Sequence, residues 1–144
     1  MLAQKKAPLK SHEDLIVYQK SVTLASSILA ITHGFPRSER YELVSQLRRA
    51  AESIPSNIVE GYRRKSRKEY IQFLWIAYGS CGELGTHLQI SRSQQFICEP
   101  DFNNINSLRD EVSRMLWKMI DTLSPEDHHI YNPGPNSRSA ARGP

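Results

Sequence analysis

Cysteine is scarce in this chain of 144 residues. Cys81 and Cys98 stand seventeen positions apart, with no CxxC pair and no histidine at ligand spacing. Neither a zinc site nor a disulfide framework is supported, and both thiols read as small buried or half-buried side chains. No run approaches about 18 consecutive apolar residues, so no membrane-spanning helix is expected. Lys5, Lys6 and Lys10 are not followed by the apolar segment of a secretion signal, and the expected location is cytoplasmic. Catalytic signatures are missing as well: there is no Ser-His-Asp order, nucleophile elbow, phosphate-binding glycine loop or HExxH. Glu60 and Glu83 could be paired carboxylates, but helical di-metal sites take Glu-x-x-His from two helices, and none of the predicted helices carries that spacing. His128 and His129 are adjacent in a polar tail, a poor ligand pair. The reading is a protein without enzyme activity, metal or cofactor.

What is present is an ordinary globular composition, 39% hydrophobic and 24% charged, in a length that suits one domain. The net charge of +4 conceals a segregation. Residues 37–68 hold nine Lys/Arg against four acids, and residues 69–130 hold four against nine. An anionic partner suits the first segment.

Apolar spacing predicts four helices. The first covers residues 12–33, with Leu15, Tyr18, Val22, Ala25 and Leu29 as its seam, Ser11 and Asp14 as a capping pair, and Gly34 with Pro36 as its stop. The second starts near Ser38, carries Leu43, Leu47, Ala50 or Ala51, Ile54 and Ile58, and ends at Gly61 as a left-handed cap. Pro55 inside it predicts a kink. The third opens on the capping box Ser66-Arg67-Lys68-Glu69 and carries Tyr70, Phe73 or Leu74, Ala77, Cys81, Leu84 and Leu88 on one face. Gly79, Gly82 and Gly85 interrupt it, and close approach of a neighbouring helix would justify them. The fourth follows Glu99-Pro100-Asp101, carries Ile105, Leu108, Val112, Met115 and Met119, and stops before Ser124-Pro125.

Long helices joined by short links predict an all-α, antiparallel up-down-up-down four-helix bundle with left-handed packing over residues 12–124. Residues 1–11 and 125–144 read as flexible ends, with Ile130 and Tyr131 the large apolar residues of the second.

The segment Gln46-Leu47-Arg48-Arg49-Ala50-Ala51-Glu52-Ser53-Ile54-Pro55-Ser56-Asn57-Ile58-Val59-Glu60-Gly61, with Gly79-Ser80-Cys81-Gly82-Glu83-Leu84, resembles the bacterial four-helix-bundle family encoded in intervening sequences of 23S ribosomal RNA genes. The chain departs from that pattern at Tyr78, where a basic residue is common, and at Gly82 and Gly85, where helix formers are common. The family is similar in turn to the accessory proteins of diversity-generating retroelements. That resemblance implies a homopentamer and a nucleic acid or protein partner.

The densest basic stretch is Tyr62-Arg63-Arg64-Lys65-Ser66-Arg67-Lys68, an interhelical turn at the start of the third helix. Side-chain charge, free backbone N–H groups and the helix dipole would together attract phosphates of RNA or DNA there. The candidate set is Arg48, Arg49, Arg63, Arg64, Lys65, Arg67 and Lys68. The alternative is a solvated turn paired with Glu60 and Glu69. On the second helix Gln46, Arg49, Ser53, Asn57 and Glu60 form a polar stripe. Ser53, Asn57, Glu60, Ser80 and Glu83 are expected to satisfy one another and the carbonyl freed by Pro55. Trp75, Ile76, Leu116, Trp117 and Ile120 fall outside the seams, and the expectation is a subunit interface, the alternative a wider core face.

Overall fold

The structure, a computed structural model, describes residues 11–12 and 15–124. Four helices, α1 (Ile16–Thr32), α2 (Leu43–Tyr62), α3 (Arg67–Ser93) and α4 (Glu99–Leu123), follow one another, with a short 3-10 helix at Arg37–Glu39 before α2. The described residues contain no strand. Helix α1 packs on α2, α2 on α3, α3 on α4 and α4 back on α1, which closes a four-helix bundle. Links of ten, four and five residues make successive helices antiparallel neighbours. No helix of the described residues is long and apolar enough to cross a membrane. The N-terminal residues 1–10, Asp14 of the expected capping pair, and the tail with Ile130, Tyr131, His128 and His129 lie outside the described residues.

Helix α2 buries Leu43, Leu47, Ala50, Ala51, Ile54 and Ile58, and α3 buries Leu74, Ala77, Cys81, Leu84 and Leu88, as the spacing predicts. Helix α1 differs. Its buried face is Val17, Ser21, Leu24, Ala25, Ile28 and Thr32, while Val22 is exposed and Leu15, Tyr18 and Leu29 are half-buried. The helix is apolar on most sides, so spacing alone admits two registers. The one adopted buries two hydroxyls that bond their own helix: Ser21 Oγ donates to the Tyr18 carbonyl at 2.7 Å and Thr32 Oγ1 to the Ile28 carbonyl at 2.8 Å. A hydroxyl satisfied within its own turn enters a core at little cost. The N-terminus of α1 also starts later than expected, at Ile16, with Leu15 as a cap that makes no side-chain hydrogen bond.

In α4 the expected seam holds at Ile105 and Val112 and then slips by one residue. Leu116 and Ile120 are fully buried, and Met115 and Met119 sit at the margin. The ends of α2 move as well. Residues 37–39 form a separate 3-10 turn, and α2 begins at Leu43 rather than near Ser38. Gly61 is not a left-handed cap: α2 continues to Tyr62, and no described glycine has positive φ. Its role is close approach, because a Cβ there would lie 2.8 Å from Phe73 Cβ and 2.9 Å from Tyr70 Cδ2.

Of the three glycines in α3, only Gly85 meets a neighbour, the Arg109 guanidinium of α4, 2.9 Å from where its Cβ would stand. Gly79 and Gly82 face open space. Cys81 is buried and Cys98, expected to be at least half-buried, is exposed at the start of α4.

Candidate nucleic-acid interface

The antiparallel order places the start of α1, the α2–α3 turn and the end of α4 at one end of the bundle. At that end Ser66 caps α3, its Oγ accepting the Glu69 N–H at 3.3 Å. The carbonyls of Val59 and Gly61 accept the N–H groups of Arg63 and Arg64, so the turn is tight and its side chains project outward. Arg64 is held: it pairs with Glu60 at 2.5 Å, and its guanidinium lies 4.9 Å from the centre of the Phe73 ring. Arg63, Lys65, Arg67 and Lys68 are exposed, and no ion pair among the described residues uses them.

Beside these cations runs an aromatic cluster. Tyr62 meets Tyr70 edge-on at 6.3 Å and His12 at 6.1 Å, and His12 meets Tyr18 at 5.1 Å. Burial, with a smaller contribution from Tyr62, holds the Tyr70 hydroxyl above its ordinary pKa. Of its members only Tyr62 was legible as part of the site. His12, Tyr18 and Tyr70 come from other elements, and no local motif signals them. Exposed cations beside half-buried rings offer phosphates and bases complementary surfaces.

A model of the 23S rRNA-intervening sequence proteins matches residues 13–118. The chain belongs to the 23S rRNA-intervening sequence protein family. Among solved structures it is similar to a crystal structure of a protein with unknown function from the S23 ribosomal protein family of Bacteroides thetaiotaomicron VPI-5482. The TM-score is 0.67 and the identity 24%, over 73% of this chain and 98% of that one. This likeness shows the fold. No curated protein matches the chain.

In this family member the seven expected cations do not form one site. Arg49 lies thirteen residues before Tyr62, the last residue of α2, about 20 Å along the helix at 1.5 Å per residue, whereas Arg63 follows that end. Arg49 is exposed in a shallow groove with Gln46, Ser53 and Glu83. Arg48 is half-buried and turned inward, its Nε donating to Thr32 Oγ1 at 3.0 Å. It supplies the cation that the last turn of α1 lacks.

The polar network contracts to three residues. The Ser53 and Ser80 hydroxyls bond at 2.8 Å, and Asn57 Nδ2 donates to the Ser53 carbonyl at 2.7 Å and to its Oγ at 3.0 Å. Glu60 and Glu83 are outside it, because Glu60 turns to Arg64 and Glu83 to His87 at 3.5 Å. Both carboxylates are exposed, and solvation draws them away from a half-buried network. The described residues contain no group of three or more His, Cys, Asp or Glu side chains arranged to hold a metal ion.

The expected interface set also divides. Leu116 and Ile120 are fully buried in the core of the single chain and cannot meet a second one. Trp75 and Trp117 are half-buried, and Trp75 packs edge-on against Tyr78 at 5.6 Å. Ile76 is 51% exposed on the outer face of α3, one turn from the open surface at Gly79.

Proposed function

We propose that this protein is a non-enzymatic oligomer, a ring of five copies, that holds the backbone of RNA or DNA through the α2–α3 turn. The observation that carries the reading is the group of four exposed cations, Arg63, Lys65, Arg67 and Lys68, that have no ion-pair partner among the described residues and stand at one end of the bundle beside Tyr62 and Tyr70. A single turn holds phosphates weakly, and repetition around a ring raises effective concentration. Ile76 and the open surface at Gly79 and Gly82 support assembly, since an exposed apolar side chain on a flat helix face suits a second copy. Recognition is of shape and charge, because flexible Lys and Arg side chains contact phosphates rather than base edges.

The test pairs light scattering with titration of a labelled single-stranded RNA at several salt concentrations. Log affinity should fall linearly with log salt, with a slope of about −0.7 for each phosphate neutralised. The triple change Arg63→Glu, Lys65→Glu and Lys68→Glu should abolish binding and leave the oligomer intact. An oligomer that ignores RNA and DNA returns the function to docking a protein partner, and a monomer removes the avidity on which the reading depends.

A further inference from the structure

At the opposite end of the bundle the ten-residue link between α1 and α2 folds over a cleft of about 220 Å³ lined by Thr32, His33, Phe35, Arg37, Arg40 and Arg48, among others. Arg37, Arg40 and Arg48 all line it, and no carboxylate of the described residues does. The acids of the same stretch, Glu39 and Glu42, line a different groove, on the α3 side with His87 and Gln94. The link thus sorts its charges, cations to one side of α2 and anions to the other. No ion pair or side-chain hydrogen bond among the described residues engages Arg37 or Arg40. Half-buried Arg48 donates to Thr32 Oγ1 at 3.0 Å and to the Leu29 carbonyl at 3.5 Å, which fixes its guanidinium, and no ion pair among the described residues engages it. A half-buried arginine fixed by hydrogen bonds, two exposed arginines and buried, apolar Phe35 line one concavity, an arrangement complementary to a compact group of high negative charge.

We infer that this cleft binds a terminal phosphate monoester, through Arg37, Arg40 and Arg48. A monoester fits better than a chain phosphodiester, because it presents three oxygens and close to two negative charges to a cleft lined by three arginines, whereas an internal diester has one charge and two flanking sugars to accommodate. The chemistry can be carried by a free nucleotide or by the 5′ end of a nucleic acid. The site is independent of the α2–α3 turn and does not require that reading.

The experiment uses the full chain and four probes: AMP, adenosine, and one short RNA with a 5′-phosphate or a 5′-hydroxyl. AMP should bind and adenosine should not, and the 5′-phosphorylated RNA should bind about tenfold or more tighter than its 5′-hydroxyl twin. Tight AMP assigns the site to free nucleotides, and a preference confined to the RNA pair assigns it to nucleic acid ends; either supports the cleft. The double change Arg37→Ala with Arg40→Ala, both on the surface, should erase the phosphate preference. Binding of 5′-hydroxyl RNA should be unaltered, so failure here is distinguishable from failure at the turn. Equal binding of both RNAs together with no response to AMP overturns the inference, as does a phosphate preference that survives the double change.

Discussion

Gly61 and Phe73 pack without room for another carbon: a Cβ on Gly61 would stand 2.8 Å from Phe73 Cβ. Helices α2 and α3 therefore converge toward their shared turn, and the cations of that turn are presented from a tightly packed corner.

Gly61→Ala should destabilise the protein by about 1–3 kcal/mol despite the better helix propensity of alanine, because the added methyl meets a Cβ and a ring rather than a flexible chain end. Gly82→Ala, with open space at its Cβ, should stabilise by about 0.5–1 kcal/mol. Urea unfolding of the two variants gives opposite shifts of midpoint. Equal shifts would contradict the packing at Gly61.

Gln95 closes α3 in a left-handed conformation with φ of 61°, and Phe96 N–H and Gln95 N–H bond back to the carbonyls of Ser91 and Arg92. This is a Schellman closure with glutamine where glycine is preferred. Gln95→Gly should raise stability by about 0.5–1 kcal/mol, read as a rise in the midpoint of thermal or urea unfolding.

Arg48→Ala should cost about 1–2 kcal/mol, since it removes the half-buried bond to Thr32 and the cation at the end of α1. Arg49→Ala, at an exposed position, should change stability by less than about 0.5 kcal/mol. Chemical denaturation of the pair separates them, and equal values would remove the structural role given to Arg48.

Burial pushes the Cys81 thiol up to about 12 from an ordinary 9.0, against the opposing pull of the Arg109 guanidinium. The unfolded thiol ionises first as pH rises, so this contribution to stability is complete below pH 9 and is lost between pH 9 and about 12. The loss is on the order of a few kcal/mol. Cys81→Ala should show a flatter stability profile over that range. Near pH 8 a thiol reagent should label the exposed Cys98 quickly and reach Cys81 only on unfolding.

The helices and their order were legible, as were the stripe of α2, which is polar on one side and apolar on the other, and that of α3, where Leu74, Ala77, Cys81, Leu84 and Leu88 recur at steps of three and four. The faces of α1 and of the second half of α4 were not. In α1 the competing stripes are both apolar, and buried Ser21 and Thr32 read as surface residues until their hydroxyls are seen to bond within the helix. In α4 a step of four from Val112 reaches Leu116 and a step of three reaches Met115, and only the neighbouring helices choose between them. The basic turn was legible as a charge cluster. Its aromatic neighbours His12, Tyr18 and Tyr70 were not, since they meet Tyr62 only when α1 and α3 are packed.

Local periodicity and short links determine that this chain forms four antiparallel helices, because helical hydrogen bonds and links act within a few residues of one another, and a side-chain cap contributes only at α3. Which cation is free is decided by tertiary structure. Arg48 and Arg49 are adjacent in sequence, yet the rotation of about 100° per residue that follows from 3.6 residues per turn sends one into the α1 contact and leaves the other in solvent. The same rotation gathers Arg48 with Arg37 and Arg40 around a cleft that no stretch of sequence displays.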